Sequence, residues 1–420
     1  MPWGEISAFH VLISRAASEA RGSLESNGGK HSAVVKLADV LLERAIGLRA
    51  SDLHLEPQTD RVRIRYRVDG ILQEEAEEIP LDLAGVLIAR LKVLAGMDTA
   101  RHQCPQDGHI EFSFGDKQFD IRASILPAIH GEMMVLRFMD AGNEFMDIDS
   151  LGFSEENKRR FRRAVRKPAG LVLLVGPVNS GKSVALYAAL QELNTGERNL
   201  VTLENPVERI IQGVNQVEIN PKAGLDYVTG LKALLRQDID AVMVGEIRDA
   251  EVSSYAVRIA LTGHLIMSTL HTENAVGAVF RLREMGIPAY MLAATLSCVV
   301  AQRLVRRRCP DCLEEYQVEE GSQEAVMLGA SWHQGLHLMR NVGCEKCHGT
   351  GYRGRVAVQE VLEVNGAIRE AVLRGDDRGR LQNLAEQEGL CTMWQDGLDK
   401  VLAGLTSIEE ICRCLNGPSA

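Results

Sequence analysis

Long apolar runs are missing from this sequence. No uninterrupted stretch of its 420 residues is long enough to span a bilayer. The start, rich in Ser, Gly and Glu, also lacks the basic-then-apolar pattern of an export signal. Both absences lead to the expectation of a cytoplasmic protein. An excess of positive charge is missing too. The formal net charge is −10, so bulk electrostatics favour neither nucleic acid nor an anionic membrane, and only local basic clusters are left to contact either. Internal repeats and long low-complexity tracts are absent. Disulfides are not expected in a cytoplasmic chain, so the nine cysteines are read as metal ligands or buried thiols. The remainder is ordinary for a globular protein: 45% hydrophobic, 25% charged, and long enough for two or three domains.

The most informative segment that is present is Gly176-Pro177-Val178-Asn179-Ser180-Gly181-Lys182-Ser183, directly after the apolar run 171–175. The pattern G-x-x-x-x-G-K-S between a strand and a helix is a phosphate-binding loop. Its glycines let the loop wrap tightly, so that backbone N–H groups point inward at phosphate oxygens. Lys182 supplies a positive charge for the β- and γ-phosphates, and Ser183 a hydroxyl for Mg²⁺. The helix-like stretch that follows, from Val184, adds its positive dipole end. A nucleoside triphosphate is therefore the expected ligand.

Periodicity divides the chain further. Residues 1–32 are weakly patterned, and 33–46 have helical spacing. Val62, Ile64, Tyr66 and Val68 alternate with Arg61, Arg63, Arg65 and Arg67, which predicts a half-buried strand with a basic outer face. Asp69-Gly70 signals a hairpin, and a second hairpin is expected around Gly115-Asp116. Together these make a small α+β domain over 33–143, followed by a linker over 144–152. From there, short apolar runs at 171–175, 200–203, 241–244 and 265–270 alternate with helices. That pattern predicts a parallel sheet covered on both faces, an α/β RecA-like core over 153–303. A cysteine-bearing insert with flanking strands is expected over 304–362 and a helical region over 363–420, with a capping box at Ser407 and Glu410.

Three further groups carry chemistry. The run 242–245 ends in Glu246, where a carboxylate at a strand's exposed tip can serve Mg²⁺ or an attacking water. Glu204 and Glu208 bring two more carboxylates to a strand end, to position water or to lie on a solvated turn. His264 and His271 lie at the two ends of the fourth apolar run; with Thr269 and Thr272, His271 can sense a γ-phosphate, and the plainer reading is structural. Finally, Cys309-x-x-Cys312 and Cys344-x-x-Cys347 form two thiolate pairs suited to tetrahedral Zn²⁺. Four sulfur ligands leave no open position, so this zinc is expected to be structural. Cys104, Cys298, Cys391, Cys412 and Cys414 are read as ordinary thiols, and the Arg306–Arg308 run as a solvated or intersubunit border of the zinc knuckle, with nucleic acid or lipid head groups as the alternative contact.

Taken together, Ala50-Ser-Asp-Leu-His-Leu-Glu-Pro57, Pro105-Gln-Asp-Gly108, Leu126-Pro-Ala-Ile-His-Gly-Glu132, the phosphate loop, 203–208, Met243-Val-Gly-Glu-Ile-Arg-Asp249 and Ser268-Thr-Leu-His-Thr272 resemble the secretion ATPase superfamily of type II secretion and type IV pilus systems, competence pilus ATPases included. The resemblance covers nearly all of 33–415. It implies a homo-hexameric ring of two-domain subunits, with ATP and Mg²⁺ bound between the small domain and the RecA-like core. It places Glu204 and Glu208 in an acidic box, Glu246 in the Walker B box and His271 in a histidine box, and it directs Arg122 and Arg137 toward the phosphates. The implied protein is an ATPase at the cytoplasmic face of the inner membrane, peripherally attached and acting on a platform protein there. The four cysteines resemble the zinc insert of assembly ATPases, which favours extension or secretion over retraction. Asn205, Ile239, His109 and Asn179 depart from the family pattern, Asn205 by removing a charge near the chemistry. Two alternatives stand beside this reading: a nucleotide-gated scaffold that does not hydrolyse, and a DNA-translocating or conjugation-type ATPase, against which the net charge speaks.

Overall fold

The computed structural model describes residues 3–20, 32–139 and 147–415, and the chain divides into two compact units, Met1–Asn143 and Glu144–Ala420. Part of the expected linker, 144–146, lies outside the described residues; Ile148–Leu151 form a turn of 3₁₀-helix.

In the first unit, β1 (Ala50–Pro57), β2 (Arg61–Val68), β3 (Ile71–Glu74), β4 (Ile79–Pro80), β5 (Gln106–Phe114), β6 (Lys117–Ala128) and β7 (Gly131–Met139) form one sheet. Its order is β3-β2-β1-β7-β6-β5, with β4 also on β2 and every pairing antiparallel. The alternation of β2 sends Val62, Ile64, Tyr66 and Val68 into a core shared with helices Ala33–Gly47 and Ala84–Leu94. A third helix, Trp3–Ala20, joins that core through Phe9, Ile13, Ala16 and Ala17, which corrects the expectation of a weakly patterned start. These four share one face at helical spacing, but two are alanines and carry little hydrophobic signal. The basic outer face of β2 is largely neutralised. Arg63 and Arg65 both pair with Glu56, at 2.7 and 2.5 Å, and Arg61 pairs with Glu78 at 2.7 Å.

The second unit holds β8 (Gly170–Val175), β9 (Leu200–Glu204), β10 (Asn215–Glu218), β11 (Ala241–Val244), β12 (Leu265–Leu270), β13 (Leu296–Arg308), β14 (Leu313–Gln317), β15 (His337–Asn341) and β16 (Tyr352–Glu363). The main sheet runs β10-β9-β11-β12-β8-β13-β16, parallel except for β16. Both faces are covered. Leu171, Leu173 and Val175 of β8 face one core, and Val172 and Leu174 face the other. The sheet runs past Arg303, the expected end of the core, and the flanking strands expected over 304–362 belong to it. β13 continues to Arg308 because Val305 and Arg308 still point inward and β16 pairs with it as far as Arg308 opposite Tyr352. β14 and β15 form a separate two-stranded ribbon.

Helices Gly366–Arg374, Arg378–Gln387, Met393–Leu402 and Ile408–Cys414 close the unit. The capping box expected at the last of these is only half made. Ser407 Oγ accepts from Glu410 N at 3.3 Å, but the Glu410 carboxylate turns to Arg306 and Arg413 instead of the cap N–H. Arg306 lies 4.0 Å over the Tyr352 ring, and Arg308 is buried, so the arginine run belongs mostly to the fold. Among the described residues no helix is long and apolar enough to cross a membrane.

Candidate nucleotide site and tetracysteine centre

Strand order brings the chemistry together. β12 lies between β8 and β11, and β9 flanks β11. Because these strands are parallel, the phosphate-type loop, His271, Glu246 and Glu204 all emerge at one edge of the sheet, where α/β proteins bind ligands.

The loop is shaped by close backbone approach. Gly176 has φ +151°, and a Cβ there would lie 2.5 Å from Gln302 O; at Gly181, φ +84°, it would lie 2.7 Å from Gln302 Nε2. Asn179 adopts φ +63°, a left-handed conformation that asparagine tolerates, so this departure keeps the loop's course. Pro177 and Val178 are exposed, and Ser183 and Val184 lie in the first turn of the helix Lys182–Leu193. The buried Lys182 ammonium donates to Gly176 O at 2.8 Å and Pro177 O at 2.7 Å. Burial, and then the positive charge of Arg303, lower its pKa to about 8, with Glu246 partly opposing. Ser180 Oγ is buried with no hydrogen-bond partner among the described residues. A cation resting on its own loop's carbonyls, an orphaned hydroxyl and a helix N-terminus fit phosphate oxygens, which would satisfy all three.

His271 joins the loop to the carboxylate on β11. Its Nδ1 donates to Gly176 O at 3.2 Å, since a carbonyl can only accept, and its Nε2 lies 3.8 Å from Glu246 Oε2. Glu246 also accepts from Arg248. Thr269 Oγ1 donates to Gly245 O at 2.8 Å and so pins the ends of β11 and β12 together. His264 sits at the opposite end of β12 beside Thr262 and Ile259 O, away from this edge.

Glu204 and Glu208 do not act alike. Glu204 is buried and accepts from Thr202 Oγ1 at 2.6 Å, Gln216 Nε2 at 3.0 Å and the Tyr187 hydroxyl. Glu208 is exposed, and its backbone N–H donates to the same tyrosine oxygen at 3.3 Å. Asn205 is exposed beside them, while Ile239 is buried in the core and so acts there through packing. In the first unit, Arg122 and Arg137 lie opposite each other on β6 and β7. Arg137 Nε donates to Asp52 Oδ1 at 2.9 Å; Arg122 makes no hydrogen bond or ion pair among the described residues. His109 pairs with Asp120 on the adjoining strand.

Sequence reading missed Gln302 and Arg303. Gln302 Nε2 donates to Ser180 O at 2.7 Å, and Arg303 reaches Glu273 O at 2.9 Å beside the loop. The available signal was a Gln-Arg pair interrupting the apolar run of β13.

The four cysteines Cys309, Cys312, Cys344 and Cys347 form a cluster with all sulfurs within 4.8 Å of one another, the one such group of potential ligands among the described residues. The pairs 309–344, 312–347 and 344–347 are 3.9, 3.8 and 3.7 Å apart. A tetrahedron with Zn–S bonds of about 2.3 Å has S···S edges of about 3.8 Å. Cys347 Sγ accepts from Cys344 N at 3.1 Å and Gly351 N at 3.2 Å, bonds that favour a thiolate. The donor set and its spacing are compatible with zinc. By contrast, Cys298 is buried away from the cluster, and burial pushes its thiol up to about 12.

Comparison with known proteins fits this geometry. A family model described as type II/IV secretion system protein matches residues 27–413. The type II secretion system ATPase E of Vibrio cholerae is 43% identical over 380 residues, 90% of this chain and 75% of that protein. The type II secretion system protein E of Dickeya dadantii is 41% identical over 387 residues, 92% and 76% of the two chains. The type IV pilus assembly ATPase PilB of Thermus thermophilus is 39% identical over 90% of this chain but only 43% of its own length. Among solved structures, the ATPase DotB of Legionella pneumophila superposes with a TM-score of 0.67 at 21% identity, covering 89% of this chain and 94% of that one. The pilus retraction motor PilT superposes at 0.59 and 24%, covering 91% and 97%. These two likenesses show that the chain shares their fold. This chain belongs to the type II/IV secretion system protein family, a family of ATP-hydrolysing motors.

Proposed function

We propose that this protein hydrolyses ATP to drive type II secretion or the assembly of a type IV pilus or pseudopilus. The observation that carries the reading is His271, hydrogen-bonded to the phosphate loop on one side and facing Glu246 on the other. The arrangement can couple the position of a γ-phosphate to that of a carboxylate. Lys182 would leave the carbonyls of Gly176 and Pro177 for the β- and γ-phosphate oxygens, and the Ser180 hydroxyl would gain a partner. Glu246 would orient the attacking water and accept its proton, with Arg248 and His271 limiting where the carboxylate can point. Glu204, held by three donors, would act by orienting that edge of the sheet, not by taking a proton. Mg²⁺, held through the Ser183 hydroxyl, would supply charge neutralisation to the phosphates.

The ring of six, the platform protein at the inner membrane and peripheral attachment there are parts of the same proposal, as are the roles of Arg122 and Arg137. Support for assembly over retraction comes from the tetracysteine centre, whose donor set and spacing suit a structural zinc. The test is Mg²⁺-dependent ATP hydrolysis by zinc-loaded protein beside Lys182→Ala, over a range of protein concentrations. Turnover that rises with concentration and is lost in the variant is expected. ATP binding without turnover, even with platform protein present, would replace the motor by a scaffold.

A further inference from the structure

Two neighbouring residues of β16 reach into different parts of the nucleotide site. Gln359 Nε2 donates to Gln302 Oε1 at 3.0 Å, and Gln302 Nε2 donates in turn to Ser180 O in the phosphate loop at 2.7 Å. The backbone N–H of Gln359 goes the other way, to Asp396 Oδ2 at 2.7 Å on the helix Met393–Leu402. Lys400, one turn further along that helix, holds the same carboxylate at 2.5 Å. Glu360 bridges a second pair. Its Oε1 accepts from Ala275 N at 2.9 Å, at the start of the helix that follows His271 and Asn274, and its Oε2 accepts from Met393 N at 3.4 Å. One C-terminal helix is thereby tied both to the phosphate loop and to the segment that carries His271.

Packing alone does not call for these side chains. Gln302, Gln359, Glu360 and Asp396 are all buried, in strands and a helix whose other buried residues are mainly apolar. A buried amide or carboxylate is costly unless its partners are in place, and apolar groups of the same size would fill such a core as well. With the chain made, both ends of the Gln302 amide and the Gln359 Nε2 are paired, while Gln359 Oε1 is left without a partner among the described residues. Such a chain has two discrete conditions, made or broken, as coupling between distant groups requires.

We propose that Gln359 and Glu360 make the helix Met393–Leu402 a positioning element of the nucleotide site, Gln359 acting through Gln302 on the loop at Ser180 and Glu360 acting on the segment that holds His271. The inference rests on the reading of this site as a nucleotide site. Shifting that helix, by a partner or by a neighbouring subunit, would then alter the grip on nucleotide without touching it.

The test uses the full-length protein, a fluorescent ADP analogue for affinity and steady-state ATP turnover for rate. Gln302→Met and Asp396→Leu, which remove the amide and the acceptor of the Gln359 N–H, are each expected to weaken analogue binding about fivefold, the worth of one such hydrogen bond. Their double variant should lose clearly less than the product of the two, because both break one chain. Glu360→Gln should lower kcat through His271 while affinity changes less than twofold. Thr406→Val is the structural control. It removes a buried bond to Arg306 O, 2.8 Å in length, outside this network, and should lower the melting temperature and leave affinity unchanged. Wild-type affinity in Gln302→Met and Asp396→Leu would overturn the inference. So would full additivity, or an equal affinity loss in Thr406→Val. A wild-type protein that binds no nucleotide would overturn the nucleotide reading itself, an outcome distinct from these.

Discussion

Lys182 should make the fold less stable in exchange for binding. Its ammonium prefers its proton at 10.5 in an unfolded chain and at about 8 in the fold, through burial first and Arg303 second. Wherever the lysine is charged in both states, that difference destabilises the fold by about 3 kcal/mol. Replacing it by the similarly shaped Met removes this term. It also removes the bonds to Gly176 O and Pro177 O, which stabilise by about 1 kcal/mol each, though Pro177 is exposed and its carbonyl can recover water. Lys182→Met is therefore expected to be more stable than wild type by about 1 kcal/mol at pH 7, or roughly 2–4 °C in melting temperature. The sign with pH follows from the lowered pKa. Wild type carries the full destabilisation below about pH 8 and loses it as pH rises toward 10.5, while the variant still lacks the two bonds, so the gap should close near about pH 9 and wild type should be the more stable by about 1 kcal/mol at pH 10. With saturating nucleotide the order should reverse, because only wild type gains binding energy. The assay is calorimetric melting at both pH values, with and without ADP. A variant at least 2 kcal/mol less stable than wild type at pH 7, or a gap that does not change with pH, would refute the reasoning.

Glu246→Gln should retain nucleotide affinity and lose about a hundredfold or more of turnover, measured by analogue binding beside phosphate release. Cys347→Ser should release metal and lower the melting temperature, because ligand binding and local folding are one equilibrium; native protein free of zinc by elemental analysis would contradict this. Glu410 is buried, and although burial raises its pKa, bonds from Arg413 and Arg306 bring it down to about 2 from 4.5. Its contribution, about 3 kcal/mol, should be complete above pH 4.5 and vanish as pH falls toward 2, so Glu410→Gln should destabilise at pH 7 far more than at pH 2.5 in thermal melts.

The parts of this protein that depend on neighbours along the chain are legible in its amino-acid order. The phosphate loop with its strand and helix, the four parallel strands, the alternation of β2 and the paired cysteines were all legible, because each is a pattern within about ten residues. The tertiary structure alone decided the rest. The arginines of β2 read as a basic face until register set Glu56 against Arg63 and Arg65. Glu204 and Glu208 read alike until strand order placed Gln216 and Tyr187 on the first and left the second in solvent. The helix Trp3–Ala20 was hidden because alanine marks a buried face only when something packs on it. Gln302 and Gln359 lie 57 positions apart, and nothing near either one names the other. Strand order and register fix which distant side chains meet, and they follow from the packing of the whole sheet.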